Sequence, residues 1–383
     1  MEQSNNQVNN HGQKELKIIH LSSAHGDRDV RIFLKECSSL AKVYPNQVHL
    51  ILAGVEERTE DGVSIHSVAK VRGGRLSRMW RTVNEVSKLA IDLKGDIYHL
   101  HDPELLRIAQ KLKRKGKIVV YDAHEDLPRQ LLGKSYLPFK SLFAIIFELF
   151  ENFIVKKLDG VVCATPYIAD RFKKINPNTV AINNFPLVSE IDFSVVATEI
   201  KENKVCFIGG ISQIRGTRQL VEAMDKTKTS LALAGVIDVA YMEELVGLKG
   251  WTNVDALGFI NRKQALKLKQ TSIAGMVTFL PYPNHINAQP NKIFEYMAAG
   301  LPVIGSNFPL WKEIIEGNNC GICVDPTDST EIATAIDTIA NNKELAKVMG
   351  HNGSRLVKEK YNWAIEEEKL VLFYQQLKNE GKV

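Results

Sequence analysis

The sequence predicts an α/β fold: two Rossmann-like, doubly wound parallel-sheet domains facing each other across a cleft. Three observations predict it. The chain has 383 residues, more than one hydrophobic core usually supports, so two domains of about 190 residues each are expected. Short apolar runs alternate with amphipathic helical patterns, as buried parallel strands and their crossovers do. That alternation then starts afresh after the tract Asn183-Asn184-Phe185-Pro186, whose composition suits a boundary. With 44% hydrophobic and 24% charged residues, the composition is that of a soluble globular protein, neither disordered nor embedded in a membrane.

Residues 1–14 are polar and rich in Asn and Gln. They lack the apolar centre of a signal peptide, so a disordered leader and a cytoplasmic protein are expected. The first domain is predicted over 15–185. Its strands are Lys17-Ile18-Ile19-His20-Leu21, Val48-His49-Leu50-Ile51-Leu52, Ile97-Tyr98-His99-Leu100, Lys117-Ile118-Val119-Val120-Tyr121, Val161-Val162-Cys163-Ala164 and Thr179-Val180-Ala181-Ile182. The longest greasy segment, Leu137 to Leu158, is interrupted by Lys140, Glu148, Glu151, Lys156 and Lys157, too polar for a span of about 20 apolar residues. The second domain is predicted over 186–365. Its strands are Val205-Cys206-Phe207-Ile208-Gly209-Gly210, Leu231-Ala232-Leu233-Ala234-Gly235, Val254-Asp255-Ala256-Leu257-Gly258, Ala274-Gly275-Met276-Val277-Thr278-Phe279 and Pro302-Val303-Ile304-Gly305. A final helix, 366–383, is expected to cross back to the first domain. Of the five cysteines only Cys320 and Cys323 have metal-like or redox-like spacing; without a second pair they read as buried turn residues.

In open α/β sheets ligands bind beyond the carboxyl ends of the strands. The stretch Gln289 to Ser306 approaches such an end and is the most informative in the chain. Pro290 suits a helix entrance and Gly300 the left-handed position past its end, giving a helix of about three turns. Lys292 stands in the first turn, where the helix dipole disfavours a cation unless an anion also docks there. With Glu295 on the same end, the pattern fits a ligand carrying both phosphate and sugar hydroxyls, such as a nucleotide sugar. The plainer reading is an amphipathic helix between two strands, with both side chains solvated.

Several segments together carry a family resemblance. They are the Pro290 to Ser306 unit, Phe207-Ile208-Gly209-Gly210 followed by Arg215-Gly216, Tyr361-Asn362-Trp363, Asp27-Arg28-Asp29-Val30-Arg31-Ile32, His99-Leu100-His101-Asp102-Pro103-Glu104-Leu105 and Tyr121-Asp122-Ala123-His124-Glu125-Asp126. The chain resembles a family 4 glycosyltransferase of GT-B fold, from the subgroup found in bacterial surface-polysaccharide biosynthesis. The resemblance implies retaining, metal-independent transfer of a hexosyl or N-acetylhexosaminyl group from a UDP- or GDP-type nucleotide sugar. The acceptor would be a hydroxyl on a glycan or lipid-linked intermediate. No cofactor is implied. The first domain would then serve the acceptor and the second the donor.

The same resemblance assigns roles residue by residue. Glu295 matches the second member of the family's paired glutamates, which binds the ribose hydroxyls. The first member falls at Asn287, seven residues intervening; an amide can hydrogen-bond sugar hydroxyls but cannot act as a charged base. Gly210 stands where relatives carry an arginine and Arg215 where they carry a lysine; Arg215, with Lys292 in place of the missing charge, would neutralise the departing diphosphate, and Gly209 and Gly210 would let the backbone approach phosphate, the alternative being a plain strand-end turn. Asn291 completes the donor set. His124 matches the histidine that reaches the donor sugar from across the cleft. Asp29, Arg31, His101 and Glu125, with Asp126, are acceptor-side candidates, although His101 could brace its loop and Asp27 or Asp29 could cap the following helix. A nucleotide-sugar epimerase and a non-catalytic nucleotide- or glycan-binding relative stay open as alternatives. No Gly-x-Gly-x-x-Gly follows the first strand, which disfavours a dinucleotide dehydrogenase.

The net charge is +5. Basic residues gather in the first domain at Arg72, Arg75, Arg78 and Arg81 around Met79 and Trp80, and again at Lys111, Lys113, Arg114, Lys115 and Lys117. Beside the amphipathic segment from Tyr136 to Lys157, with Phe139, Phe143, Phe147, Phe150 and Phe153, they suggest peripheral docking at the inner face of an anionic membrane. Aromatic core and solvated charge are the alternative. No nucleic-acid module accompanies the charge.

Overall fold

A computed structural model describes residues 16–70, 78–133, 138–188 and 202–379. The leader 1–14, Arg72, Arg75, the side chain of Arg78, and Tyr136 lie outside the described residues. The described chain forms two sheets, one of eight strands and one of six.

The first sheet has the order β3-β4-β2-β1-β5-β6-β7-β8. Its strands are β1 (Ile18–Leu21), β2 (Val48–Ala53), β3 (Arg58–Glu60), β4 (Val63–Val68), β5 (Ile97–Leu100), β6 (Ile118–Ala123), β7 (Gly160–Cys163) and β8 (Thr179–Ala181). All pairs are parallel except β3 with β4. Helix α1 starts as a wide turn over Val30–Cys37 and continues over Ser38–Val43; then come α2 (Val83–Asp92), α3 (Leu106–Arg114), α4 (Leu127–Leu132), α5 (Lys140–Val155) and α6 (Pro166–Lys173). Alternation along each strand divides the core. Ile19 and Leu21 face α2, α3, α5 and α6, whereas Ile18 joins Phe33, Leu40, Trp363 and Tyr374 on the opposite face.

The second sheet runs β11-β10-β9-β12-β13-β14. It contains β9 (Lys204–Ile208), β10 (Ser230–Ala234), β11 (Val254–Gly258), β12 (Ala274–Val277), β13 (Val303–Ser306) and β14 (Gly321–Val324), all parallel. Its helices are α7 (Thr217–Ala223), α8 (Val239–Val246), α9 (Arg262–Thr271), α10 (Pro283–Ile286), α11 (Asn291–Ala298), α12 (Pro309–Ile315), α13 (Ser329–Ala340) and α14 (Lys343–Glu359). The last helix, α15 (Trp363–Leu377), leaves this domain and packs its Trp363, Leu370, Phe373, Tyr374 and Leu377 into the first.

Three strands were not anticipated. β3 and β4 form a hairpin whose turn residues Asp61 and Gly62 both have positive φ, 48° and 76°, the geometry in which an Asp-Gly turn matches strand twist. β14 places Cys323 in a strand rather than a turn, with Cys320 buried just before it. The helix expected to span three turns, α11, has only eight residues, because Pro290 is its extended N-cap rather than its first helical residue.

Candidate functional site

The second domain supplies one wall. β9 stops at Ile208, whose N–H donates to the Tyr296 hydroxyl at 2.9 Å. That bond ties α11 to the strand end. Gly209 and Gly210 follow, with the Arg215 guanidinium folded back over them and donating to the Gly210 carbonyl at 3.2 Å. Gly216 has φ +69°, and a Cβ there would stand 1.9 Å from the Thr278 carbonyl. Only glycine lets this loop lie against the end of β12. Arg215 is half-buried, 5.4 Å from the Phe279 ring, and among the described residues no carboxylate pairs with it. Burial pushes the guanidinium below its usual value. A partly desolvated cation without a carboxylate counter-ion is suited to receive an anion.

Next to it, α10 ends at Asn287 and the chain enters α11 through Pro290. α11 buries Ile293, Phe294, Tyr296 and Met297 and leaves Lys292 and Glu295, three residues apart, on its open side. Gly300 closes it with φ +66°, as the left-handed stop requires. Lys292 Nζ donates to Glu295 Oε2 at 2.7 Å. A second lysine, Lys269 of α9, reaches the same oxygen at 3.7 Å. Burial pulls the Lys269 ammonium down against the opposing pull of Glu295. Nearby, the Oγ1 of Thr278 and the Oε1 of Gln289 are buried without a hydrogen-bond partner.

The first domain supplies the facing wall from the loops after β1, β5 and β6. Asp122, at the end of β6, is its hub. Its carboxylate takes Arg31 Nη2 at 2.7 Å and Nε at 3.0 Å, His101 Nδ1 at 3.1 Å and His124 Nε2 at 2.7 Å. Burial alone would raise its pKa, but Arg31, then His124 and the two imidazole hydrogen bonds, hold it well below the usual carboxylate range. Glu36 lies 3.1 Å from Arg31, yet burial and the Asp122 charge push it well above the ordinary range. The ion-pair distance and that direction pull opposite ways. Because Asp122 already takes the guanidinium with two bonds, we assign the single negative charge to Asp122 and a proton to Glu36.

Behind the hub, His20 Nδ1 meets His101 Nε2 at 2.8 Å, and the Tyr374 hydroxyl bonds His99 Nδ1 at 2.6 Å. Burial lowers His20, His99 and His101 below the ordinary imidazole value. They are therefore neutral, and the network assigns the Nδ1 proton of His101 to Asp122. His124 is the member that reaches the cleft, with 18% of its side chain exposed. Since an ionised carboxylate only accepts, Nε2 carries its proton and Nδ1 is turned from Asp122. In front lie His25 and Asp29, bonded at 2.9 Å, with the His25 ring edge-on to His124 at 5.3 Å. The two walls meet where α4 touches α10, Gly133 coming within reach of Asn284.

Two expectations are corrected. Arg31 is not open to an acceptor: it is 4% exposed, bonded also to the Ile182 carbonyl at 2.7 Å, and serves as the buried counter-ion of Asp122. His101, 2% exposed, is likewise enclosed and braces the hub. Asp29 accepts from the Arg31 and Ile32 backbone N–H groups, the capping alternative, while its second oxygen holds His25. Glu125 is exposed and takes the Gln130 amide, whereas Asp126 is buried near Arg129 and Arg171. Lys269, His25, Asp122 and Tyr296 were missed. Asp122, within the quoted Tyr121-Asp122-Ala123-His124 segment, and Tyr296, within the Gln289 to Ser306 stretch, lay in segments already singled out; Lys269 and His25 carried no local signal.

Among the described residues two groups could hold a metal ion: His20, Glu36, His99 and His101, and His101, Asp122 and His124, with ligand atoms within 4.8 Å of one another. In the second group these atoms are already bonded to one another, whereas in the first only His20 and His101 are, and His99 Nε2 and both Glu36 carboxylate oxygens make no hydrogen bond among the described residues. A cavity of about 1310 Å³ lies elsewhere, lined by Asn203, Thr229, Ile273, Pro302, Asp337 and Lys347. It sits at the amino ends of the strands, opposite the end where such sheets bind ligands, so we do not take it for the site.

Comparison with known proteins agrees with this fold. Residues 37–185 match the family model Glycosyltransferase Family 4, and residues 189–356 match Glycosyl transferases group 1. An uncharacterized glycosyltransferase of Methanocaldococcus jannaschii is 29% identical over 174 residues, 44% of this chain and 43% of that protein. The chain thus spans less than half the length of that relative. The capsular polysaccharide biosynthesis glycosyltransferase CapM of Staphylococcus aureus is 29% identical over 103 residues, 26% of this chain and 27% of CapM. Among solved structures, sucrose-phosphate synthase from Thermosynechococcus elongatus superposes with a TM-score of 0.79 at 16% identity, covering 95% of this chain and all of that one. Anabaena HepE in complex with UDP gives 0.70 at 15% identity, covering 94% and 100%. Two family models that between them leave three residues unmatched from 37 to 356, together with the paired sheets, place the chain: it belongs to the family 4 type glycosyltransferases and has their GT-B fold.

Proposed function

We propose that the chain is a retaining glycosyltransferase that moves a hexosyl or N-acetylhexosaminyl group from a nucleoside-diphosphate sugar to a hydroxyl of a glycan or lipid-linked acceptor in surface-polysaccharide synthesis. The observation that carries the reading is the unpaired Arg215 guanidinium over Gly209-Gly210, bonded through Ile208 and Tyr296 to the helix bearing Lys292 and Glu295. A diphosphate fits against Arg215 and the bare backbone. Glu295 would accept from the ribose hydroxyls, releasing Lys292 from its ion pair to face the phosphates. CapM acts in capsular polysaccharide biosynthesis and HepE is complexed with UDP, which supports the substrate class.

In this mechanism the bond from the anomeric carbon to the diphosphate oxygen breaks and the acceptor oxygen bonds that carbon from the same face. The acceptor proton passes to the departing diphosphate. Arg215, Lys292 and Lys269 supply the positive charge that a metal would otherwise bring. Asn287, whose amide makes no hydrogen bond among the described residues, is free to hold a sugar hydroxyl, and His124 approaches from the other wall.

The test is thermal unfolding of the purified chain with UDP and GDP, read beside product analysis with the matching donors. A ligand at 100 times its dissociation constant adds about 2.7 kcal/mol, or several degrees. Arg215→Ala should weaken nucleotide binding by about 10- to 100-fold, the worth of a charge-assisted bond, without lowering the unliganded Tm. Equal shifts in both proteins would remove Arg215 from the site. Free sugar or epimer formed without acceptor would favour the epimerase reading.

A further inference from the structure

Helix α5 is inside out. Its carboxylates point inward: Glu151 is fully buried against the Tyr121 hydroxyl at 3.1 Å and Arg171 at 2.5 Å, and Glu148 pairs with Arg129 at 2.6 Å. Apart from Ala144, Ile154 and Val155, which are buried, its apolar residues turn outward. Leu142, Phe143, Ile145, Ile146, Leu149 and Phe153 are all between 49 and 65% exposed, and Phe139 just ahead of the helix is more exposed still. Positions 142, 146, 149 and 153 form one stripe, with 143, 145 and 150 widening it beyond the band a core-facing helix needs. A contiguous face of this kind exceeds the scattered apolar residues of an ordinary surface.

The charges around the face identify its occupant. Of the two carboxylates on α5, Glu151 is buried and Glu148, 29% exposed, is paired with Arg129. Lys140 begins it, Lys156 and Lys157 end it, and Lys157 Nζ lies 3.8 Å from the Phe153 ring centroid, the posture of a lysine that lies along apolar surface and keeps its head in water. The neighbouring helix α3 touches α5 and presents Arg107, Lys111, Arg114 and Lys115 to solvent. Arg107 covers the ring of Trp80, itself 59% exposed. An apolar band with cations at both ends, beside a basic helix whose Arg107 carries an exposed indole, matches the boundary between acyl chains and anionic headgroups. The 16 residues of α5 span about 24 Å, and among the described residues no helix is long and apolar enough to cross a bilayer. The helix therefore lies along the surface.

We infer that α5, with the basic flank of α3, seats the first domain on an anionic lipid bilayer. The exposed side chains of α5 enter the headgroup boundary and the lysines and arginines meet lipid phosphates. The preceding helix, α4, is the one that touches α10 at the cleft. Seating α5 thus brings the cleft mouth to the membrane, where a lipid-linked acceptor would present its hydroxyl. This last consequence rests on the proposed transferase reading; the docking itself does not.

Co-sedimentation of the full chain with vesicles tests it, comparing pure phosphatidylcholine with phosphatidylcholine containing phosphatidylglycerol at low salt. Binding to the anionic vesicles should exceed binding to the neutral ones by about tenfold or more and weaken as salt rises. The double variant Ile146→Glu, Leu149→Glu should lose binding by about tenfold or more. Lys156→Glu, Lys157→Glu should lose most of the preference for anionic lipid. Both pairs are exposed, so the UDP-induced rise in Tm should persist in each variant, which separates failure of docking from failure of the transferase reading. Absence of vesicle binding overturns the inference. So does a concentration-dependent dimer in sedimentation that Ile146→Glu, Leu149→Glu returns to monomer, since the face would then close on a second copy.

Discussion

Arg31 carries the clearest difference between a binding and a structural role. Removing it by Arg31→Met would leave Asp122 buried and ionised without its counter-ion, and losing one member of such a pair costs about 3–5 kcal/mol. A fall in Tm of many degrees is expected; a normal Tm with a raised acceptor KM would restore the acceptor role. His124→Ala, by contrast, removes a partly exposed side chain, and should lower turnover with little change in Tm. His25 and Asp29 make a pH-dependent pair in front of His124. The hydrogen bond to Asp29 raises the His25 pKa above 6.5 against its burial. Burial would raise Asp29, but the His25 bond and the Ile32 N–H bring it from 3.8 to about 2. The histidine's contribution is therefore complete below pH 6.5 and lost as pH rises through its raised folded value. The aspartate's is complete above pH 3.8 and lost as pH falls towards about 2. NMR titration should place the His25 midpoint above 6.5 and return it towards that value in Asp29→Asn; an unchanged midpoint would dismiss the pair. Such residues mark the limit of the sequence. Lys292, Glu295, Arg215 and the two glycines were legible because helix ends and loops encode them over a few positions. Arg31 and His101 sit in equally conspicuous segments, but whether they face the cleft or the core depends on Asp122, about 90 residues from Arg31 in the chain. Lys269 belongs to another helix from Glu295 and had no local mark at all.

At the scale of elements, continuous apolar runs revealed every central strand, because a strand covered on both faces leaves no polar alternation. Of the edge strands β8 and β11 were anticipated, whereas β3 with its neighbour β4, and β14, were harder to see. β3 and β4 lie at the margin of the first sheet, half exposed, and their sequence is polar at alternate positions; Asp61-Gly62 was the available signal. β14 is four residues long, and its cysteines suggested a turn. α5 shows the opposite failure: its helical spacing was legible, but spacing does not say which face is buried, and here the acidic residues turn inward while most of the large apolar ones face out. The Gly216 loop makes an element-level prediction. Gly216→Ala adds a Cβ at a left-handed φ, costing about 1–2 kcal/mol, and aims it at the Thr278 carbonyl. The loop must move off β12, taking Arg215 with it. UDP should bind at least about tenfold more weakly, since the Arg215 contact alone is worth that, and Tm should fall. A variant that lost stability but bound UDP normally would show that the loop does not position Arg215.

Across the whole molecule, the connection that matters runs from the second domain back to the first. After α14 the chain turns at Tyr361-Asn362, and Trp363 donates its backbone N–H to the Pro186 carbonyl at 2.9 Å and its indole N–H to the Ser39 hydroxyl at 2.9 Å. Glu366 accepts from the Asn183 N–H at 2.8 Å, so the two chain crossings between the domains are bonded to each other. Further along α15, Tyr374 enters the histidine row behind Asp122. The first domain's core on that face is consequently completed by residues that follow the whole second domain in sequence. Late arrival of α15 leaves Phe33, Leu40 and Tyr44 uncovered until the last segment docks. Trp363→Ala removes a fully buried side chain at the crossing and should cost about 3–5 kcal/mol, drawn from the first domain. Calorimetry should then resolve two transitions where the parent has one or a closely overlapping pair. The lower should belong to the first domain and ignore UDP; the upper should rise with UDP as in the parent protein. If the variant instead melts in a single, UDP-responsive transition shifted down as a whole, the domains unfold together and α15 contributes to one cooperative unit rather than clamping two.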